Sequence, residues 1–167
     1  FSVVKHLSHT DDSDLMATVI SSALLAITAT AVLVATVVFL LAHYIGVAFE
    51  SEDVKLGIQF ICPALVLFSV NKAFMNVLNG TRRMRAYAIF QALRYVLIIL
   101  TLIGLVLAGF SGAYLAWCFF VSELLVAVGL FKFVHQFVVR FGFRHVARSW
   151  VFRHVSFGLR GFFGGML

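Results

Sequence analysis

Apolar residues in this chain fall into long runs separated by short charged stretches, and each run has the length of a membrane-crossing helix. Leu15 to Leu41 carries no charge at all, which is enough for a tilted helix across a hydrocarbon core ~30 Å thick. Three more runs follow at 56–78, 87–108 and 112–134, interrupted only by Lys72, Arg94, and Glu123 with Lys132. The chain stops inside a further apolar, Gly-rich stretch at 156–167, read as the start of a fifth span. The pattern predicts an all-α, polytopic membrane helix bundle of four transmembrane helices plus the start of a fifth. With no initiating Met and an end inside an apolar run, the sequence is expected to be a piece of a larger protein.

Details within the runs refine this picture. Ser22, Ala26 and Thr30 recur every fourth residue in the first span, a small-residue stripe that lets another helix approach closely. Pro63 stands near the start of the second, where a kink is tolerable if neighbours satisfy the freed carbonyl. Only the turn 109–112 separates the third and fourth runs. A connection that short makes those helices antiparallel neighbours.

Composition agrees: 62% of the 167 residues are hydrophobic and 12% charged, too few charges to cover a soluble domain of this size. The net charge of +6 raises the question of nucleic acid, but the cations crowd into 82–85 and 132–160. That clustering follows membrane topology better than a phosphate-binding face. The stretch 43–55 holds Glu50, Glu52 and Asp53 against one Lys, whereas 79–86 holds Arg82, Arg83 and Arg85 without an acid. Basic loops stay inside. The expected topology therefore puts the N-terminal stretch, 79–86 and the connector 135–155 on the cytoplasmic side, with 42–55 and 109–112 outside.

Within that connector, Arg140, Arg144 and Arg148 are spaced by four, opposite Val139, Phe143, Val146 and Trp150. The spacing predicts a basic amphipathic helix over 139–150. It would lie on an anionic leaflet or pack on the bundle as a connector.

Charges inside spans cost roughly 2.5–3.5 kcal/mol each near the helix centre, so each needs a reason. Glu123 lies eleven residues from either end of its run, roughly 16 Å from each surface. It cannot reach the headgroups and is expected to meet a cation or hydroxyl of a neighbouring helix, in space left by Ala116 and Ala127. Lys72 and Arg94 lie about 9–10 Å from the cytoplasmic ends of their runs, where snorkelling is the plain alternative. Against it, Ser69, Lys72, Asn76 and Asn79 form one polar stripe, and Tyr87, Gln91, Arg94 and Thr101 another. Such stripes face a cavity or a partner helix. Lys72, Arg94, Asn76, Gln91 and Glu123 are the candidate cavity residues.

No catalytic constellation is visible. The six histidines are scattered, with no zinc-binding pairing, and no Walker or Rossmann glycine pattern occurs. No cofactor and no metal is implied. Cys62 and Cys118 lie in apolar runs outside any CxxC pair, as small packing residues do.

The segment Asn71-Lys72-Ala73-Phe74-Met75-Asn76-Val77-Leu78-Asn79-Gly80-Thr81-Arg82-Arg83 resembles the span-to-loop junction of polysaccharide-export flippases. These belong to the multidrug/oligosaccharidyl-lipid/polysaccharide superfamily. Gly109-Phe110-Ser111-Gly112-Ala113 is similar to the family's Gly-x-x-Gly-Ala turn, and Ser156-Phe157-Gly158-Leu159-Arg160 resembles the start of its second half. The resemblance implies helices three to six, and the start of seven, in a bundle of twelve to fourteen. It implies flipping of a polyprenyl-pyrophosphate oligosaccharide across the cytoplasmic membrane by alternating access. The partners it implies are that lipid-linked substrate, membrane lipids and other glycan-assembly membrane proteins. A drug/cation antiporter of the same superfamily would favour acidic cavity residues, and a membrane-embedded glycan polymerase or ligase a long outer loop.

Overall fold

The computed structural model describes residues 12–110, 112–138 and 141–164. Its helices are α1 (Ser13–Ala48), α2 (Glu52–Gly80), α3 (Met84–Leu107), α4 (Trp117–Phe137) and α5 (Arg148–Gly164), with 3-10 turns at Gly112–Ala116 and Phe143–His145. There is no strand among the described residues. Four segments, Ser13–Ala48, Glu52–Gly80, Met84–Leu107 and Gly112–Phe137, are long and apolar enough to cross a membrane. The protein is an all-α, polytopic membrane bundle.

The helices outrun the apolar runs, so the loops shrink. Only residues 49–51 separate α1 from α2, where a loop over 42–55 was expected. The cause is capping. Ser51 N–H donates to Gly46 O at 3.0 Å and Glu50 N–H to Val47 O at 3.1 Å, with Glu50 at φ 50°. Both bonds satisfy carbonyls that the helix end leaves open. Ser51 then opens α2, its hydroxyl accepting from Val54 N–H at 3.4 Å. The same closure recurs after α2, around Arg82 at φ 56°, and after α3, around Gly109 at φ 82°.

Packing differs from helix to helix. Along α1 the buried positions include Ile20, Ala23, Ala31, Ala35, Ala42 and Gly46, a small-residue face against α2. At Gly46 a Cβ would lie 2.6 Å from the Lys55 Cβ, so only glycine lets the two backbones come this close. Of the stripe read from sequence, Ser22 and Ala26 are buried, while Thr30 turns its hydroxyl back to Ala26 O at 2.8 Å. The main apolar core gathers at one end of the bundle. There Ala17, Ile20 and Ala23 of α1 meet Phe74, Met75, Val77 and Leu78 of α2 and Val126, Leu130 and Val134 of α4.

The connector departs from expectation. No continuous helix spans 139–150; a 3-10 turn occupies Phe143–His145 and α5 starts at Arg148, ahead of the expected boundary at 156. Two serines of α1 explain the break. Ser21 Oγ accepts from Gly142 N–H at 3.2 Å and Ser22 Oγ from Ala147 N–H at 3.0 Å. Amides held by α1 are not available to a helix ladder. Arg144 and Arg148 are exposed but lie on different elements, so the expected single basic face does not form; Arg140 lies outside the described residues. The basic amphipathic segment is instead α5 itself, where Arg148 sits 5.7 Å from the Phe152 ring and Arg153 5.0 Å from that of Trp150.

Candidate functional site

The site is assembled by three helices next to the apolar core. On α3 the inward seam is Tyr87, Phe90, Arg94, Leu97 and Thr101, spaced alternately by three and four as one helix face requires. Tyr87, Phe90 and Leu97 are half-buried against the core, and Arg94 is the one buried residue that α3 contributes. On α4 the facing seam is Cys118, Ser122, Val126, Gly129 and Phe133. Gly129 makes room for an aromatic ring: a Cβ there would lie 3.0 Å from the Phe90 Cε1.

Arg94 and Glu123 meet across this seam. Arg94 Nε stands 3.0 Å from Glu123 Oε1, with the two side chains only 4% and 5% exposed. From α2, Asn71 reaches the same carboxylate: its Nδ2 donates to Glu123 Oε2 at 2.7 Å and to the Glu123 carbonyl at 2.9 Å. The guanidinium lies over the Phe68 ring, 5.0 Å from its centroid, a cation–π contact that gains strength when desolvated. Thr101, two turns along α3 from Arg94, approaches Ser122, the neighbour of Glu123 on α4, to 2.9 Å, and Ser122 donates to Cys118 O at 2.6 Å.

The pairing removes the cost of two isolated buried charges, but it leaves polar atoms unmet. Arg94 Nε and Nη2 and Asn71 Oδ1 are buried without a hydrogen-bond partner. The Nε–Oε1 approach is therefore an attraction of charges whose N–H is poorly aimed. Glu123 has the cationic partner its depth demanded.

The other candidates lie elsewhere. Lys72 is exposed, next in sequence to the buried Asn71, and Asn76 is half-buried. Gln91 is half-buried beside the seam, with its Nε2 donating to Tyr95 Oη at 3.3 Å. Lys72 and Arg94 thus occupy unlike surroundings: one cation is exposed, the other buried and neutralised. Sequence reasoning missed Asn71. The signal was its spacing from Phe74, Met75 and Leu78, which puts an amide on the apolar face of α2. Cys62 and Cys118 are both buried and free. No group of three or more metal-ligating side chains occurs among the described residues.

The model of the family described as "Polysaccharide biosynthesis protein" matches residues 1–167. The chain belongs to the polysaccharide biosynthesis protein family. No curated protein and no solved structure matches it significantly. The family includes the O-antigen flippases, so the resemblance carried by the 71–83 and 109–113 motifs falls within it. For this polysaccharide biosynthesis protein the Arg94–Glu123–Asn71 node is a polar element buried in a membrane transporter's bundle. Ionisable residues are rare inside spans, where they face the bundle interior and pair with one another, as Arg94 and Glu123 do.

Proposed function

We propose that this protein carries a lipid-linked oligosaccharide, a glycan on a polyprenyl pyrophosphate, across the cytoplasmic membrane. The observation that supports this most is the guanidinium of Arg94, buried inside the bundle against the Glu123 carboxylate. A diphosphate headgroup needs such cations on its way through lipid, because forked donors match phosphate oxygens. Lys72, exposed on the neighbouring helix, serves as the accessible cation that meets the headgroup first. In the orientation expected from the arginines of 82–85, both residues lie toward the cytoplasmic side, where the headgroup would first be met.

The antiporter reading calls for an acidic group ready to take a cation. Glu123 is the acid buried in the described spans, and it is already bound to Arg94. A polymerase or ligase would place chemistry in an outer loop, and the connections at 49–51 and 108–116 are short.

The test is transport of a fluorescent lipid-linked oligosaccharide by the full-length protein in vesicles. Lys72→Ala is expected to slow transport about tenfold, the scale of one lost charge-assisted contact, at unchanged protein level. Lys72→Arg should keep most of the rate. Absence of glycan-lipid transport by the unmodified protein would remove the substrate assignment. Full transport by Lys72→Ala would remove Lys72 from it.

A further inference from the structure

The Arg94–Glu123 pair is balanced in charge and unbalanced in hydrogen bonding. Two guanidinium nitrogens, Nε and Nη2, are buried without a hydrogen-bonded acceptor, although a carboxylate lies 3.0 Å away. A resident carboxylate whose role were purely structural would be expected to take Arg in the two-pronged geometry that both groups favour. Here Glu123 instead divides its oxygens, one to Arg94 and one to Asn71 Nδ2 at 2.7 Å. Donors from α2 and α3 therefore converge on one anionic group supplied by α4. That arrangement fits a tetrahedral oxyanion better than a planar carboxylate, because a phosphate offers separate oxygens in several directions.

We propose that Arg94 and Asn71 form a phosphate-binding site which Glu123 occupies as an internal stand-in, so that substrate binding is an exchange of anions on Arg94. The inference rests on the reading of the substrate as a diphosphate-bearing lipid and adds to it a site, a new contact residue in Asn71, and a trigger. While Glu123 is in place, α3 is fastened to α4 and the cation is neutral to its surroundings. When a headgroup displaces the carboxylate, the α3–α4 fastening opens. The cost of burying the guanidinium is met in both states by a negative partner. Phe68 covers the guanidinium and also lines a cavity of about 570 Å³ between α1, α2 and α5. Its ring is thus a shared wall between that space and the site.

The probe is farnesyl pyrophosphate, with farnesol as the uncharged control, binding to the full-length protein in nanodiscs of neutral lipid. Removing the stand-in while keeping its shape, Glu123→Gln, is expected to tighten farnesyl pyrophosphate binding at least tenfold and leave farnesol unchanged. Adding Asn71→Leu to that variant should return most of the gain. If Glu123→Gln does not fold, Glu123→Asp draws the carboxylate back by one methylene and is expected to tighten binding severalfold. Unchanged affinity in whichever variant folds would overturn the proposal and leave a structural fastening whose spare donors are met by water. Equal tightening for farnesol would overturn it too. The two readings fail separately. Tightening in a protein that moves no glycan lipid keeps the anion site and discards the substrate. Transport by the unmodified protein, with no tightening in the variants, does the reverse.

Discussion

The two helical hairpins of this bundle are held together by opposite means. The α1–α2 pair closes through Ala31, Ala35, Ala42 and Gly46, with backbones close enough that Gly46 has no room for a Cβ beside Lys55. The α3–α4 pair closes mainly through Arg94–Glu123 and Thr101–Ser122, with the Phe90 ring seated against Gly129, and Arg94 is the one residue α3 buries fully. In lipid there is no hydrophobic drive between apolar helices, so association comes from close packing or from interhelical polar contacts. Close packing has one good arrangement and is lost abruptly when disturbed. Polar contacts can be handed to another partner. On the proposed exchange of anions, the α1–α2 hairpin, closed by small residues, stays fixed, and the α3–α4 hairpin opens at its charged node.

The largest effect should come from breaking the charged contact on one side only. Arg94→Met leaves Glu123 buried without its cation, a loss of about 3–5 kcal/mol. Thermal unfolding in detergent should show it, and a cysteine pair placed across α3 and α4 should cross-link less. The double variant Arg94→Met/Glu123→Leu replaces both charges by apolar side chains and should recover most of that stability. It should not recover transport. A double variant as unstable as the single one would mean that α3 depends on the pair for shape and not for charge.

How far these features could be read in advance follows from what lipid demands. A helix must satisfy its own backbone there, so the runs at 15–41, 56–78, 87–108 and 112–134 were legible as helices from hydropathy alone. Glu123 was legible as a partnered group because its depth allows nothing cheaper. Its partner was harder. Arg94 could snorkel as well as pair, and the choice depends on how α3 is rotated against α4. That rotation is set by Gly129 and Phe90, which hydropathy does not distinguish from other apolar positions. Asn71 was hidden because grouping polar residues with polar neighbours put Lys72 and Asn76 on the working face. The amide that reaches the node sits instead among Phe74, Met75 and Leu78. The connector misled for a related reason: helical spacing at 139–150 was real, but Ser21 and Ser22, far away in sequence, take the amides.

The next test sharpens the packing side of the comparison. Gly46→Ala puts a methyl 2.6 Å from Lys55 Cβ, and the α1–α2 backbones must part to admit it, at about 1–3 kcal/mol. On α3, Gly104 has nothing within 4 Å of its would-be Cβ. Gly104→Ala should be neutral or slightly stabilising, by up to about 1 kcal/mol, since alanine favours helix. Paired unfolding measurements check both. Equal responses would show that the α1–α2 contact at Gly46 is no tighter than an open helix face.

The smallest effect concerns the hydroxyl contact, and it asks whether exchangeable polar bonds are individually weak. Thr101 Oγ1 lies 2.6 Å from Leu97 O and 2.9 Å from Ser122 Oγ, while Ser122 Oγ lies 2.6 Å from Cys118 O. Each hydroxyl has one hydrogen, so only two of these three bonds form at once. Bonds within each helix are always available as an alternative, which lowers what the bond between helices is worth. A double-mutant cycle with Thr101→Val and Ser122→Ala should return a coupling of about 0.6 kcal/mol, the usual size for hydrogen bonds between membrane helices. A coupling several times larger would show that α3 is fixed by its hydroxyls. In that case opening of the seam could not be controlled by Glu123 alone, and the contrast between a fixed and an exchangeable hairpin would fail at its weakest contact.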